Sequence, residues 1–365
     1  MLLGDVMITI GDRIAGCLLG GAIGDALGAG IEFDSLAEIQ RVHGPDGVTD
    51  YVDAYGRRGA ITDDTQMTLF TVEGMIRASV RGRTRGICHE PSVVRHAYLR
   101  WYHTQGHRWP DQEFPGGPDG WLIGEADLHH RRAPGNTCLS SMANGGHGEI
   151  EQPINDSKGC GAVMRAAPAG SIASEPADRF AFGCTIAALT HGHPCGYLPA
   201  GFLAAVVGGL IDGDPLDRAL DDAQRVLARW EHHGDALAAV EAGRELAASG
   251  PPSPRSLEAL GGGWVGEEAL SIAIACAASA SSFPDAVLRA VNHSGDSDST
   301  GSITGNLLGA AMGTSVLRET WLAELELRDV IEALAADMTL EFHGDAPSDD
   351  DGGATAEWFE RYPGW

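Results

Sequence analysis

Long apolar stretches of helical period, built mainly from Ala, Leu and Gly, constrain this chain more than any other feature. Alternating Val/Ile/Thr runs closed by hairpin turns, the mark of half-buried strands, are nearly absent, so the pattern predicts an all-α, multi-helix protein. Helices are expected over 13–27, 64–80, 91–104, 176–189, 197–211, 215–230, 234–248, 266–280, 283–291, 300–313 and 319–336, with irregular segments at 109–121, 133–161, 249–263 and 344–354. Gly20, Gly24 and Gly28 recur every four residues in the first helix, a stripe that lets another helix approach its backbone. With 43% hydrophobic against 21% charged residues the chain has the means to bury a large core. Its 365 residues alone would suggest two domains. The acidic motifs below favour one domain over 1–365, with a core of about 10–343 and an acidic loop and tail at 344–365.

A net charge of -26 excludes most nucleic-acid binding, because a phosphate backbone would meet a repulsive field. Lys158 is the only lysine and no Gly-Lys pair exists, which removes any P-loop. Seven scattered cysteines without a CxxC pair fit reduced thiols in the cytoplasm better than a disulfide framework. Ile14-Ala15-Gly16-Cys17 has the form of a lipoprotein box, but Asp5, Asp12 and Arg13 interrupt its leader. The apolar run 198–211 falls short of the roughly 20 residues that span a bilayer, so no membrane segment is expected. A monomer is expected.

Two acidic motifs stand ahead of helices at opposite ends of the chain. In Thr62-Asp63-Asp64-Thr65-Gln66, Asp63 as N-cap with Gln66 three residues on makes a capping box, yet the second acid is left over. Adjacent carboxylates repel, and a site that keeps both ionised generally supplies a cation. Gly295-Asp296-Ser297-Asp298-Ser299-Thr300-Gly301 imitates the start of an EF-hand, but Leu307 stands at position twelve where a bidentate Glu is needed. A hard-cation site completed from elsewhere follows, and oxygen donors point to Mg²⁺, Mn²⁺ or Ca²⁺. Two such clusters suggest one two-metal centre, and hence one domain. Ser157-Lys158-Gly159-Cys160-Gly161 suits a diphosphate or a bare loop-to-helix turn. Thr190-His191-Gly192-His193 lacks further zinc-spaced ligands, so a structural or ligand-contacting histidine is preferred. Asp345, Asp349, Asp350 and Asp351 read as a solvated acidic loop.

Five pieces taken in order, 20–32 (GGAIGDALGAGIE), 62–67 (TDDTQM), 157–168 (SKGCGAVMRAAP), 189–193 (LTHGH) and 295–305 (GDSDSTGSITG), make the chain resemble the ADP-ribosylglycohydrolase family. That family includes ADP-ribosylarginine hydrolases and the bacterial dinitrogenase reductase-activating glycohydrolase. The resemblance implies an all-α fold and a glycosidic-bond hydrolase with two Mg²⁺ or Mn²⁺ that binds ADP-ribose. By it Thr62, Asp63, Asp64, Asp296, Asp298 and Ser299 match metal ligands, Ser299 replacing a usual Thr. Glu32 matches a carboxylate beside the metals and, with Asp63, Asp64 and Asp298, forms the expected catalytic set. Ser157, Gly159, Cys160, Gly161 and His191 match diphosphate contacts. A further acid seen in some relatives falls where Asp111 and Asp119 are both open. Cleavage is expected through an oxocarbenium-like state, with Glu32 deprotonating water or steadying the positive charge. The expected substrate is an ADP-ribosylated protein or a small-molecule ADP-ribose conjugate, arginine being the preferred acceptor. Serine-linked, nucleotide-linked or O-acyl ADP-ribose, and a non-catalytic binding protein on the same scaffold, are the alternatives.

Overall fold

A computed structural model describes residues 8–145, 147–347 and 353–364. Its helices are α1 (Ile10–Gly28), α2 (Leu36–His43), α3 (Asp63–Arg85), α4 (Glu90–Thr104), α5 (Asn136–Ala143), α6 (Pro176–Ala188), α7 (Pro194–Ile211), α8 (Leu216–Leu227), α9 (Gly234–Ala248), α10 (Pro254–Glu258), α11 (Gly266–Ala278), α12 (Phe283–Val291), α13 (Ser297–Met312), α14 (Glu319–Glu324), α15 (Arg328–His343) and α16 (Gly353–Arg361). Extended pairing among the described residues is confined to two isolated bridges, Ala54 with Arg57 and Gly159 with Val265. The fold is all-α, as the apolar period requires.

Among the described residues the most extensive helix contact is between α1 and α13. Gly16, Gly20 and Gly24 lie against Gly309, Gly305 and Gly301 respectively, so the helices run antiparallel. A Cβ on Gly24 or Gly301 would fall inside the van der Waals shell of the opposing backbone. The stripe ends at Gly28, which faces the backbone of Ser297 and Asp298. Glycine packing thus brings the acidic start of α13 beside the end of α1.

Around this pair most of the buried apolar side chains form one cluster that reaches from Ile14 to Tyr362, with a small second cluster around Leu257, Ile272 and Cys276. Helix α7 runs through it and has the length and hydropathy of a membrane span, but 94% of it is buried inside the fold. Cys17 is buried on α1. In the tail, Trp358 and Tyr362 pack back, and the Tyr362 hydroxyl donates to Asp337 (2.6 Å). Asp345 is exposed; Asp5, Asp349, Asp350 and Asp351 lie outside the described residues.

Three expectations need correction. The segments 133–161 and 249–263 are not wholly irregular, since they carry α5 and α10. Helix α2 was unforeseen, although Ser35 ahead of Glu38 signals it: the Ser35 hydroxyl accepts from the Glu38 N–H (3.2 Å). The single helix expected over 319–336 breaks into α14 and α15, with Leu327 at φ 58°. The break turns Glu326 inward. Its N–H donates to the Gly59 carbonyl (2.9 Å) and its carboxylate accepts from the Ile61 N–H (3.0 Å) and from Arg132 (3.0 Å). Tertiary hydrogen bonds here outweigh helical continuity, and they hold the segment that feeds α3.

Candidate metal and ligand site

The first acidic motif is held from three sides. Asp25, fully buried on α1, accepts from the Thr62 N–H (3.0 Å), the Thr65 N–H (3.1 Å) and the Thr65 hydroxyl. Glu326 takes the Ile61 N–H, and the Arg132 carbonyl takes that of Asp63 (2.9 Å). Thr62, not Asp63, is the N-cap of α3, accepting from the Asp64 N–H (3.3 Å). The expected capping box is absent: the Gln66 amide donates to the His130 carbonyl (3.0 Å) and accepts from Gln105 (3.1 Å). Asp63 instead accepts the Gly135 N–H (3.2 Å), across the cavity wall. With a hydroxyl already capping the helix, both carboxylates are released to face inward.

The second motif caps α13. Asp296 is the N-cap, accepting from the Ser299 N–H (3.4 Å), and its own N–H donates to the Gly262 carbonyl (2.8 Å). Asp298 also accepts from the Ser299 N–H (3.0 Å), and the Thr62 hydroxyl bonds to its side chain. Carboxylate oxygens of Glu32, Asp296 and Asp298 lie within 4.8 Å of one another, in the arrangement of a cation site. Glu32, Asp63, Asp64, Asp296, Asp298 and Ser299 line one cavity of about 620 Å³, with Thr62 buried behind them.

The same cavity is walled by Gly159, Cys160, Gly161 and His191. Asn155 ties the two loops together, donating to the Thr190 carbonyl (2.7 Å) and accepting from the N–H groups of Ser157 (3.0 Å) and Gly192 (3.1 Å). Ser157 stands outside the lining. Its hydroxyl exchanges a hydrogen bond with Thr137 (2.9 Å) and accepts from the Gly159 N–H (3.3 Å), shaping the loop. His191 is buried and neutral, its pKa pushed down to about 3 by burial and by Arg165. Arg165 donates to the Thr190 hydroxyl (2.6 Å), which sits 2.8 Å from His191 Nδ1. His191 Nε2 lies beside Gly159 and Gly161, where an added Cβ would come 3.2 Å from His191 Nε2 and 3.0 Å from Cys138 Sγ respectively, so the imidazole packs closely against the loop. His193 is placed elsewhere: its Nδ1 accepts from the Cys195 N–H (3.0 Å) at the start of α7, and it lines a separate cavity.

Electrostatics tests whether these residues suit cations. Burial, then repulsion from Asp298, raises Asp25 to about 7 and Glu32 to about 10. The same two causes push Asp63 and Asp64 well above the usual carboxylate range, and burial with Asp296 does so for Asp298. Glu32 Oε2 and Asp64 Oδ2 are buried without a hydrogen-bond partner. Carboxylates so placed are costly unless a cation balances them, and the residues fit one or more divalent ions.

Neither acid left open in the middle of the chain reaches this cavity. Asp119 pairs with buried Arg77 (3.0 Å), and Asp111 faces Arg108 (3.9 Å). The functional position missed in the sequence is Asp25, whose one signal was an acid in the middle of an apolar, glycine-rich helix. Phe33 and Trp264, stacked with ring centroids 5.9 Å apart at the cavity rim, carried no signal.

A family model described as ADP-ribosylglycohydrolase matches residues 7–348. The chain is 25% identical over 342 residues to the ADP-ribosyl-[dinitrogen reductase] glycohydrolase of Rhodospirillum rubrum, covering 90% of this chain and 97% of that protein. It is 26% identical over 335 residues to an ADP-ribosylarginine hydrolase of Serratia proteamaculans, covering 90% and 79%. A solved structure titled ADP-ribosylglycohydrolase-related protein complex shares the fold, with a TM-score of 0.61 at 24% identity, over 91% of this chain and 98% of that one. With its helical architecture and the five motifs in order, the chain belongs to the ADP-ribosylglycohydrolase family, hydrolases of the glycosidic bond to ADP-ribose.

Proposed function

We propose that this protein removes ADP-ribose from arginine side chains of modified proteins, as one domain and with two divalent cations, Mg²⁺ or Mn²⁺. The observation that carries the reading is the meeting of both acidic motifs and Glu32 in one cavity with the glycine loop and His191. Asp63, Asp64, Asp296 and Asp298, with the hydroxyls of Thr62 and Ser299, would hold the cations. Bound there, the ions would supply Lewis acidity toward the ribose hydroxyls and the attacking water.

The chain's own groups would do the rest. His191 and the loop at Gly159 and Gly161 would bind the diphosphate and fix the ribose over the acids. Cleavage of the glycosidic bond leaves positive charge on the ribose, which the buried carboxylates stabilise. Glu32 Oε2, buried without a hydrogen-bond partner, would take a proton from the attacking water once bound cations hold the carboxyl ionised.

Arginine as acceptor is supported by the acidic chain, which attracts a guanidinium group, and by the stretch 132–138, which resembles bacterial arginine-directed relatives. Arg131 and the residues from Ala133 to Cys138 line the cavity. The relative named as an ADP-ribosylarginine hydrolase points the same way.

Conjugates linked through arginine, serine and guanosine, offered with Mg²⁺, Mn²⁺ or chelator, test the reading. Arginine should lead by tenfold or more in kcat/KM, about 1.4 kcal/mol in transition-state binding, and chelator should stop turnover. Preference for another conjugate would replace the acceptor; full turnover in EDTA after dialysis would remove the metal role; release from none would leave a binding protein.

A further inference from the structure

Glu32 and Phe33 are neighbours in sequence and line the same cavity, yet Glu32 is 7% exposed and Phe33 is 74% exposed. The boundary between the buried acids and solvent therefore runs between them. The Phe33 ring is stacked on that of Trp264, itself 45% exposed, with centroids 5.9 Å apart and planes 18° from parallel. Near-parallel rings at that distance are offset, and their exposure leaves aromatic faces open at the mouth. Trp264 is fixed through the backbone around it: its carbonyl accepts from the Cys160 N–H (3.2 Å), and the Gly266 N–H donates to the Lys158 carbonyl (2.8 Å). The aromatic pair is thus pinned to the glycine loop that walls the cavity.

We propose that Phe33 and Trp264 receive the guanidinium of the modified arginine, stacking on it where it emerges from the cavity, and so favour arginine over hydroxyl-linked acceptors. This rests on the arginine reading above and deepens it by naming the residues that read the acceptor. The ribose lies within, over the acids beside Glu32, and the protein that carries it stays outside. The guanidinium, one bond from the ribose, falls at the boundary that Phe33 occupies. Its plane is delocalised and weakly hydrated, and the ring faces carry negative potential, so stacking there suits it. Arg131, the arginine of the lining, also lines a hollow with His103, His107 and His129, and its charge directs a cationic acceptor away from that wall. A serine oxygen offers neither plane nor charge.

The test is steady-state kinetics of the full-length protein with Mn²⁺ on a peptide ADP-ribosylated at arginine, with free ADP-ribose, which lacks the acceptor, as competing inhibitor. Phe33→Ala and Trp264→Ala should each raise KM about tenfold and leave kcat within about threefold, because the guanidinium is held alike in the ground and transition states. The lead of the arginine over the serine conjugate should narrow by the same factor, and the inhibition constant of ADP-ribose should stay within about twofold. Phe33→Tyr, which keeps a ring face, should recover most of the loss; Phe33→Leu, which keeps bulk without one, should recover little. Parallel weakening of ADP-ribose would assign the rings to the nucleotide and overturn the inference, as would wild-type KM in Phe33→Leu or in both alanine variants. Phe33 lies outside the core, so its variants decide even if Trp264→Ala misfolds. A wild type that releases ADP-ribose from serine but not from arginine removes the arginine reading and this inference with it; arginine turnover with unaltered variants removes this inference alone.

Discussion

The two acidic helix starts that build this site look alike in sequence and are held in different ways. At the start of α3 a threonine caps the helix and a buried carboxylate from α1, Asp25, gathers the backbone N–H groups around it. At the start of α13 an aspartate is itself the cap, and the helix is placed by glycine contacts with α1. One end is positioned by hydrogen bonds and the other by the absence of side chains. Helix α1 serves both, so a disturbance of α1 should be felt at both ends of the chain.

If the two starts form one centre, Asp64→Ala and Asp298→Ala should each reduce kcat/KM by roughly a thousandfold or more, and the double variant should lose little beyond either. Additive losses, each measured at saturating Mn²⁺, would split the site in two. Next in size is the glycine contact: Gly301→Ala should cost about 3 kcal/mol in chemical denaturation, because the new methyl meets the Gly24 backbone, which cannot move aside, as well as the Val291 side chain. Asp25→Asn should cost less, about 1.5 to 3 kcal/mol, by weakening charge-assisted bonds at the other start. Equal stability of Gly301→Ala and wild type would remove packing as the device that sets α13.

The acids also predict a pH dependence. Asp25 and Glu32, raised to about 7 and about 10, bind more protons folded than unfolded, so their contribution is complete at low pH and is lost as pH rises toward those values. Two buried imidazoles, His96 and His191, lowered to about 2 and about 3, act in the opposite sense below pH about 6.5. In chelator, Tm should therefore rise as pH falls from about 8.5 to 6.5, and rise more slowly below, where the raised Asp63, Asp64 and Asp298 add to Asp25 and Glu32 against the two imidazoles. Mn²⁺ should raise Tm most at the alkaline end. A Tm that instead climbs with pH in chelator would contradict the buried acid cluster. The smallest effect is expected at Asp119, which lies off the cavity and half exposed: Asp119→Asn should leave kcat/KM within about twofold.

Much of the helical architecture was open to reading because burying a helix against others imposes a periodic apolar pattern that a single chain displays locally. The glycine stripe at Gly20, Gly24 and Gly28 belongs to that class, since close helix approach demands small residues at fixed spacing. The break at Leu325 to Leu327 was hidden: local propensity favours continuing the helix, and only Gly59, Ile61 and Arg132, distant in sequence, supply the partners that stop it. Capping of α3 was misassigned for a related reason. Thr62 and Asp63 are both competent caps, and the choice depends on Gly135 drawing Asp63 away.

By itself the sequence determined the helical class, the two acidic starts, the glycine loop and the ordered motifs of the family, because each is a short-range chemical pattern. Tertiary structure alone decided that Asp25 supports rather than lines the site, that Ser157 shapes its loop from outside, and that Cys160 places sulfur against Asp296 across 136 residues of chain. A carboxylate's role depends on what surrounds it in space, and no spacing along the chain reports that until the helices have packed.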